Sequence, residues 1–170
     1  VSLWILARLS QAEVRGSGFL VVAGVIWNLA ITFGLLGIMD GHMSGHEMLE
    51  MPTEVWPAML ISYLIITFLA LVIHRSRQVR ETIAPQWFIL AALLWFPALF
   101  LIAWNGLEIN PARGTLQTVL SMWYGQSLVW LWLTPVALGA AYYLIPAILG
   151  RTIDKYYLAI FGFWCIAALA

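Results

Sequence analysis

Three histidines are the side chains of this sequence best suited to metal chemistry, and their positions limit what they can do. His42 and His46 stand four apart in a segment that also offers Asp40, Glu47 and Glu50, so a helical turn there would bring both imidazoles to one metal. The plainer expectation is a solvated acidic loop in which neither histidine binds a metal. His74 opens a basic stretch with Arg75, Arg77 and Arg80, where contact with lipid headgroups is expected rather than ligation. The lone cysteine, Cys165, lies in an apolar stretch and is expected to pack. No phosphate loop, zinc pattern or hydrolase motif is present, so the residues alone nominate no catalytic group and no metal ligand.

The elements that would position such residues follow from composition. Of 170 residues, 63% are hydrophobic and only 9% charged, against roughly a quarter charged in soluble domains. The charges fall in short connections and leave uncharged runs near or above the roughly 20 residues that cross a bilayer as helix. The fold class expected is therefore all-α, a polytopic transmembrane helix bundle forming a single transmembrane domain over 1–170. Zero net charge and the lack of a basic, aromatic patch exclude a nucleic-acid partner.

The runs are Ser17 to Met39, Val55 to Ile73, Pro85 to Trp104 and Thr115 to Leu149, with partial helices at both ends (1 to about 9, and Tyr157 to Ala170). Asn105-Gly106 and Asn110-Pro111 read as turns. The stretch 115–149 corresponds to about 52 Å of helix at 1.5 Å per residue, long for one crossing and short for two. The excess of lysine and arginine on the cytoplasmic side decides between them. Four complete crossings put Arg8, Arg15, Arg75, Arg77, Arg80, Arg151 and Lys155 on one face, with only Arg113 opposite. The acidic loop with Asp40, Glu47, Glu50 and Glu54 then lies outside with Glu108. One long helix over 115–149 is expected, with kinks at Pro135 and Pro146.

Trp56, Trp87, Trp104, Tyr156 and Tyr157 lie near span ends, where amphipathic rings anchor in the headgroup zone. Trp95, Trp123, Trp130 and Trp132 lie deeper, as packing residues or as walls of a cofactor pocket. Polar residues within the spans are few, among them Asn28, Thr32, Ser62, Ser121, Tyr124, Gln126 and Ser127, and are expected to bond between helices. Gln126 is expected to face the interior, because an unpartnered amide in hydrocarbon is costly. The Gly34 to Gly37 spacing indicates close packing. No carboxylate, lysine or histidine sits in a membrane core, which weighs against a proton pump, an ion-coupled transporter or a voltage sensor.

The chain opens on Val-Ser-Leu-Trp and reaches Arg8 within half a membrane thickness, and it closes on an apolar run too short for a comfortable span. It is expected to be an internal piece of a longer polypeptide.

Two sets of residues carry a resemblance. Ser121-Met-Trp-Tyr-Gly-Gln-Ser-Leu, continuing through Thr134, Gly139, Tyr142-Tyr143, Ile145-Pro146, Gly150-Arg151, Tyr157-Leu158-Ala159 and Gly162-Phe163-Trp164, resembles the sixth helix and following turn of heme-copper oxidase subunit I. Within that superfamily the likeness is to the cbb-type branch. Trp4 to Ser10, Ala23-Gly24 with Trp27-Asn28, the Gly41 to Pro52 loop, Gln86-Trp87-Phe88 and Trp95-Phe96-Pro97 agree in order. The window would run from the end of the family's second helix to the start of its seventh.

The resemblance implies a respiratory membrane subunit, cytochrome c oxidase subunit I-like, passing electrons from cytochrome c or quinol towards a terminal acceptor beside other membrane subunits. It implies a bacterial inner membrane with the Arg/Lys-rich loops cytoplasmic. Heme is implied for the whole family member, with its ligands outside this window. The family's sixth-helix copper histidine is matched by Gln126, whose neutral amide oxygen is a poor substitute for imidazole. The alternative implied is a degenerate, non-catalytic homologue serving as scaffold or electron conduit.

Overall fold

The computed structural model describes residues 1–14, 16–46, 48–79, 81–150 and 155–169, and all its regular structure is helical. Helix α1 covers Ser2–Ser10, α2 Ser17–Met39, α3 Trp56–Arg75, α4 Ala84–Trp104, α5 Thr115–Ser127, α6 Thr134–Leu149 and α7 Tyr156–Leu169. A 3-10 turn at Thr53–Val55 leads into α3. Four helical stretches, Ser17–Met39, Thr53–Arg75, Ala84–Ile109 and Thr115–Leu149, are long and apolar enough to cross a membrane. Helix is the form such runs must take, because hydrocarbon offers no partner to backbone N–H and C=O groups.

The four spans lie where hydropathy placed them, and two details differ. Asn105-Gly106 does not end its helix: a π turn at Asn105–Ile109 carries it onward, closed by Asn110 N donating to Asn105 O at 2.7 Å. Gly106 fits there because the side chain of Leu120 crowds the space a Cβ would take. In the long helix the irregularity expected from Pro135 takes the form of a π segment at Leu128–Leu133, just ahead of that proline. Proline lacks an N–H and its ring crowds the carbonyl four residues earlier, so the preceding turn widens to i→i+5 bonding. Pro146 sits inside α6 without ending it, and Gly150 closes the helix at φ 61°.

The chain divides into two compact units. The first comprises Val1–Arg15, Ala70–Phe96 and Ser127–Ala170. Its core is aromatic: Phe163 of α7 stacks on Trp95 at 5.9 Å between ring centroids and meets Phe88 edge-on at 5.2 Å. Phe96 contacts Trp132 at 5.1 Å, so two of the deep tryptophans are packing residues. Trp130 stays half-exposed and, with Cys165, lines a small cavity of about 260 Å³.

A polar knot ties α1 to the start of α4 in this unit. Gln86 Nε2 donates to Ser10 Oγ at 3.2 Å, Ile83 N donates to Gln86 Oε1 at 3.1 Å, and Gln78 N donates to Ser10 O at 3.0 Å. Gln86 is 1% exposed and Ser10 fully buried. Replacing Gln86 with leucine strands the Ile83 N–H and the Ser10 hydroxyl, so a loss of about 1–3 kcal/mol is expected. Chemical unfolding of the purified protein followed by circular dichroism measures it, and a change within error would show that the knot is dispensable.

The second unit comprises Gly16–Leu69 and Pro97–Gln126. Ser62 Oγ donates to Ala23 O at 2.7 Å, joining α3 to α2, and Trp27 meets Tyr63 at 6.3 Å. Gly34 and Gly37 do pack closely, but against the loop: a Cβ on Gly34 would stand 2.8 Å from Met51 Sδ, and one on Gly37 would collide with Pro52. Trp56, expected as an interfacial anchor, is a core residue at 1% exposure. Its indole Nε1 donates to Met51 O at 3.0 Å, and its ring leans on Phe100, which meets Tyr124 in turn.

Candidate functional site

Of the residues singled out for chemistry, His42, His46 and Gln126 lie in the second unit, in the loop between α2 and α3 and at the end of α5, whereas His74 and Cys165 belong to the first. That loop is not helical at 42–46, so the i, i+4 geometry that would give one metal two imidazoles is not formed. Instead the loop folds on itself: Ser44 N donates to Glu50 O at 3.3 Å, Leu49 N donates to His46 O at 3.1 Å, and the Ser44 hydroxyl bonds Leu49 O. His42 is exposed beside α2, whereas His46 is buried with its Nε2 4.0 Å from Glu108 Oε1. Glu108 belongs to the π turn that extends α4, far from His46 in sequence, and no spacing signal could have paired them.

Among the described residues no three His, Cys, Asp or Glu side chains gather into a group able to hold a metal ion. Changing both His42 and His46 to alanine is therefore expected to leave zinc and copper content unchanged by elemental analysis. Stoichiometric metal lost from the double variant would overturn this.

His74, in the last turn of α3, takes a different partner. Arg77 Nη1 lies 2.9 Å from His74 Nε2 and 3.2 Å from His74 O. Arginine only donates, so Nε2 is the acceptor and the ring proton sits on Nδ1, which is buried without a partner. Arg15, Glu47, Arg80 and Arg151, which entered the reading of sidedness and of the acidic loop, lie outside the described residues.

At the end of α5 the structure departs from expectation. Tyr124, Gly125 and Ser127 are buried, whereas Gln126 is exposed. The interior position expected for the amide is not found in the described chain. At helical spacing the faces of 124 and 127 coincide while 126 points elsewhere, so Ser127 occupies the inner face with a hydroxyl that has no partner. Two other span residues bond within their own helix rather than between helices: Asn28 Nδ2 donates to Gly24 O at 2.7 Å, and Thr32 Oγ1 to Asn28 O at 2.8 Å. Met48 of the loop reaches α5 beside Gly125, where a Cβ would stand 3.6 Å from Met48 Cγ.

Comparison with known proteins finds relatives of low identity. No protein-family model matches the chain, and no solved structure does. The chain is 27% identical over 97% of its length to a cytochrome c oxidase subunit 1 homolog of Agrobacterium tumefaciens (strain T37). It is 27% identical over 82% of its length to the Cbb3-type cytochrome c oxidase subunit CcoN1 of Stutzerimonas stutzeri. It is 25% identical over 98% of its length to cytochrome c oxidase subunit 1 of Rhodobacter capsulatus. It spans about a third of the length of these curated relatives: 32%, 31% and 33% respectively. Together the matches support, at the level of family alone, a relationship to heme-copper oxidase subunit I.

Proposed function

We propose that this chain is part of a subunit I-like membrane component of a respiratory oxidase-type complex, serving electron transfer from cytochrome c or quinol towards a terminal acceptor. One observation carries the reading: similarity to cytochrome c oxidase subunit I runs along 97% of the chain at 27% identity. Four apolar helices of crossing length agree with it. We read residues 1–170 as one transmembrane domain of a longer chain in a bacterial inner membrane, with the Arg/Lys-rich loops cytoplasmic and other membrane subunits alongside.

Heme enters this reading through ligands outside the window, and no step through it is derived from these residues. Copper does not fit the side chains present. By the resemblance the family's ligand position falls on Gln126, an amide on the exposed face of α5, and among the described residues no three His, Cys, Asp or Glu side chains gather into a group able to hold a metal ion. The exposed amide supports the longer chain, because an unsatisfied amide facing hydrocarbon costs several kcal/mol, at the upper end about 4–8, and a further helix can supply its partner. The same residue favours a second reading, a homologue that retains the fold as electron conduit or scaffold without dioxygen chemistry at this centre.

Elemental analysis and a reduced-minus-oxidised spectrum of the complex purified from its native membrane test both. Heme with well under one copper per subunit is the expected result. Copper together with heme, assigned to this subunit, would restore the dioxygen-reducing centre, and neither metal nor heme would leave the scaffold reading alone.

A further inference from the structure

A cleft of about 680 Å³ lies in the second unit, independent of any oxidase chemistry. Ile26, Ala30 and Gly37 of α2 and Ala58 of α3 form much of its wall, and His42 and Glu54 are its ionisable lining residues. From Ile26 to Gly37 the helix rises about 16 Å at 1.5 Å per residue, which is half of the roughly 30 Å hydrocarbon core. The cleft is thus one leaflet deep, apolar along its length, with its polar groups at the loop end.

We propose that this cleft binds one phospholipid with an ethanolamine headgroup. The depth matches one leaflet of acyl chain, and the charge pattern selects the head. No lysine or arginine occurs between Gly16 and His74, whereas Asp40, Glu50 and Glu54 cluster around the loop. A net-anionic headgroup would meet the carboxylate of Glu54 at the cleft's loop end. An ethanolamine ammonium donates to the exposed Glu54 carboxylate, and the His42 imidazole donates an N–H to the phosphate oxygens. The apolar walls receive one acyl chain, and the headgroup emerges at the loop end beside His42 and Glu54.

Native mass spectrometry of the full-length protein, reconstituted in nanodiscs of equal parts phosphatidylethanolamine and phosphatidylglycerol, tests the assignment. Retention of one ethanolamine lipid per subunit, at least fivefold over the glycerol lipid, is expected. Glu54→Gln, an exposed substitution, should bring that preference below twofold, and Ala58→Phe should abolish retention by filling the cleft. Should Ala58→Phe fail to fold, Glu54→Gln decides alone. Equal retention of the two lipids, a preference unchanged in Glu54→Gln, or a protein helix found seated in the cleft of the full-length chain would each overturn the proposal.

Discussion

Trp56→Ala is expected to cost about 3–5 kcal/mol of unfolding free energy, the range for deleting a fully buried large aromatic. The ring is 1% exposed, packs on Phe100 at 5.9 Å, and through Phe100 reaches Tyr124 of α5. Its indole N–H also holds the loop at Met51 O. One side chain therefore joins the loop, α3, α4 and α5 within the second unit. Trp56→Phe separates the two roles: it keeps most of the ring and removes the hydrogen bond, for an expected cost of about 1 kcal/mol. Unfolding in mixed micelles followed by circular dichroism measures both. An alanine variant within 1 kcal/mol of the parent would show that the cluster does not hold this unit.

The second large effect is expected at Gly139, in the first unit. A Cβ there would stand 2.8 Å from Ile89 Cγ1, 3.3 Å from Phe88 Cβ and 3.3 Å from the backbone oxygen of Pro85. Part of that wall is main chain, and Phe88 is pinned by Phe163 and Tyr142, so the neighbours have little room to yield. Gly139→Val is expected to lose about 1–3 kcal/mol by overpacking and to lower the melting temperature in detergent. Gly162→Ala is the internal control. Nothing beyond its own helix backbone and chain neighbours lies within 4 Å of its Cβ position, and alanine is the better helix former by about 1 kcal/mol. Equal melting temperatures for Gly139→Val and the parent would show that α6 does not approach α4 this closely.

The helices and the site were legible to different degrees. Apolar runs place all four spans because in hydrocarbon the backbone has only itself to bond, so length and polarity decide alone. Length leaves 115–149 long for one crossing and short for two, and the distribution of lysine and arginine reads it as one helix. Neither signal locates the π segment at Leu128–Leu133, because Pro135 transmits its strain to the turn before it. Nor does either continue α4 past Asn105-Gly106, where accommodation of Leu120 outweighs local turn propensity.

By itself, then, the sequence determined an all-α membrane chain, its spans and the amide at position 126. Tertiary structure decided which faces those spans present. It turned Ser127 inward and Gln126 outward, made Trp56 a core residue, paired His46 with Glu108 and set His42 exposed at the loop end of the cleft beside α2. The physical reason is that a helix apolar on every side carries no periodic signal for its own rotation. Only the shapes that interlock, Gly37 under Pro52 and Gly139 against Ile89, set the angle at which each helix comes to rest.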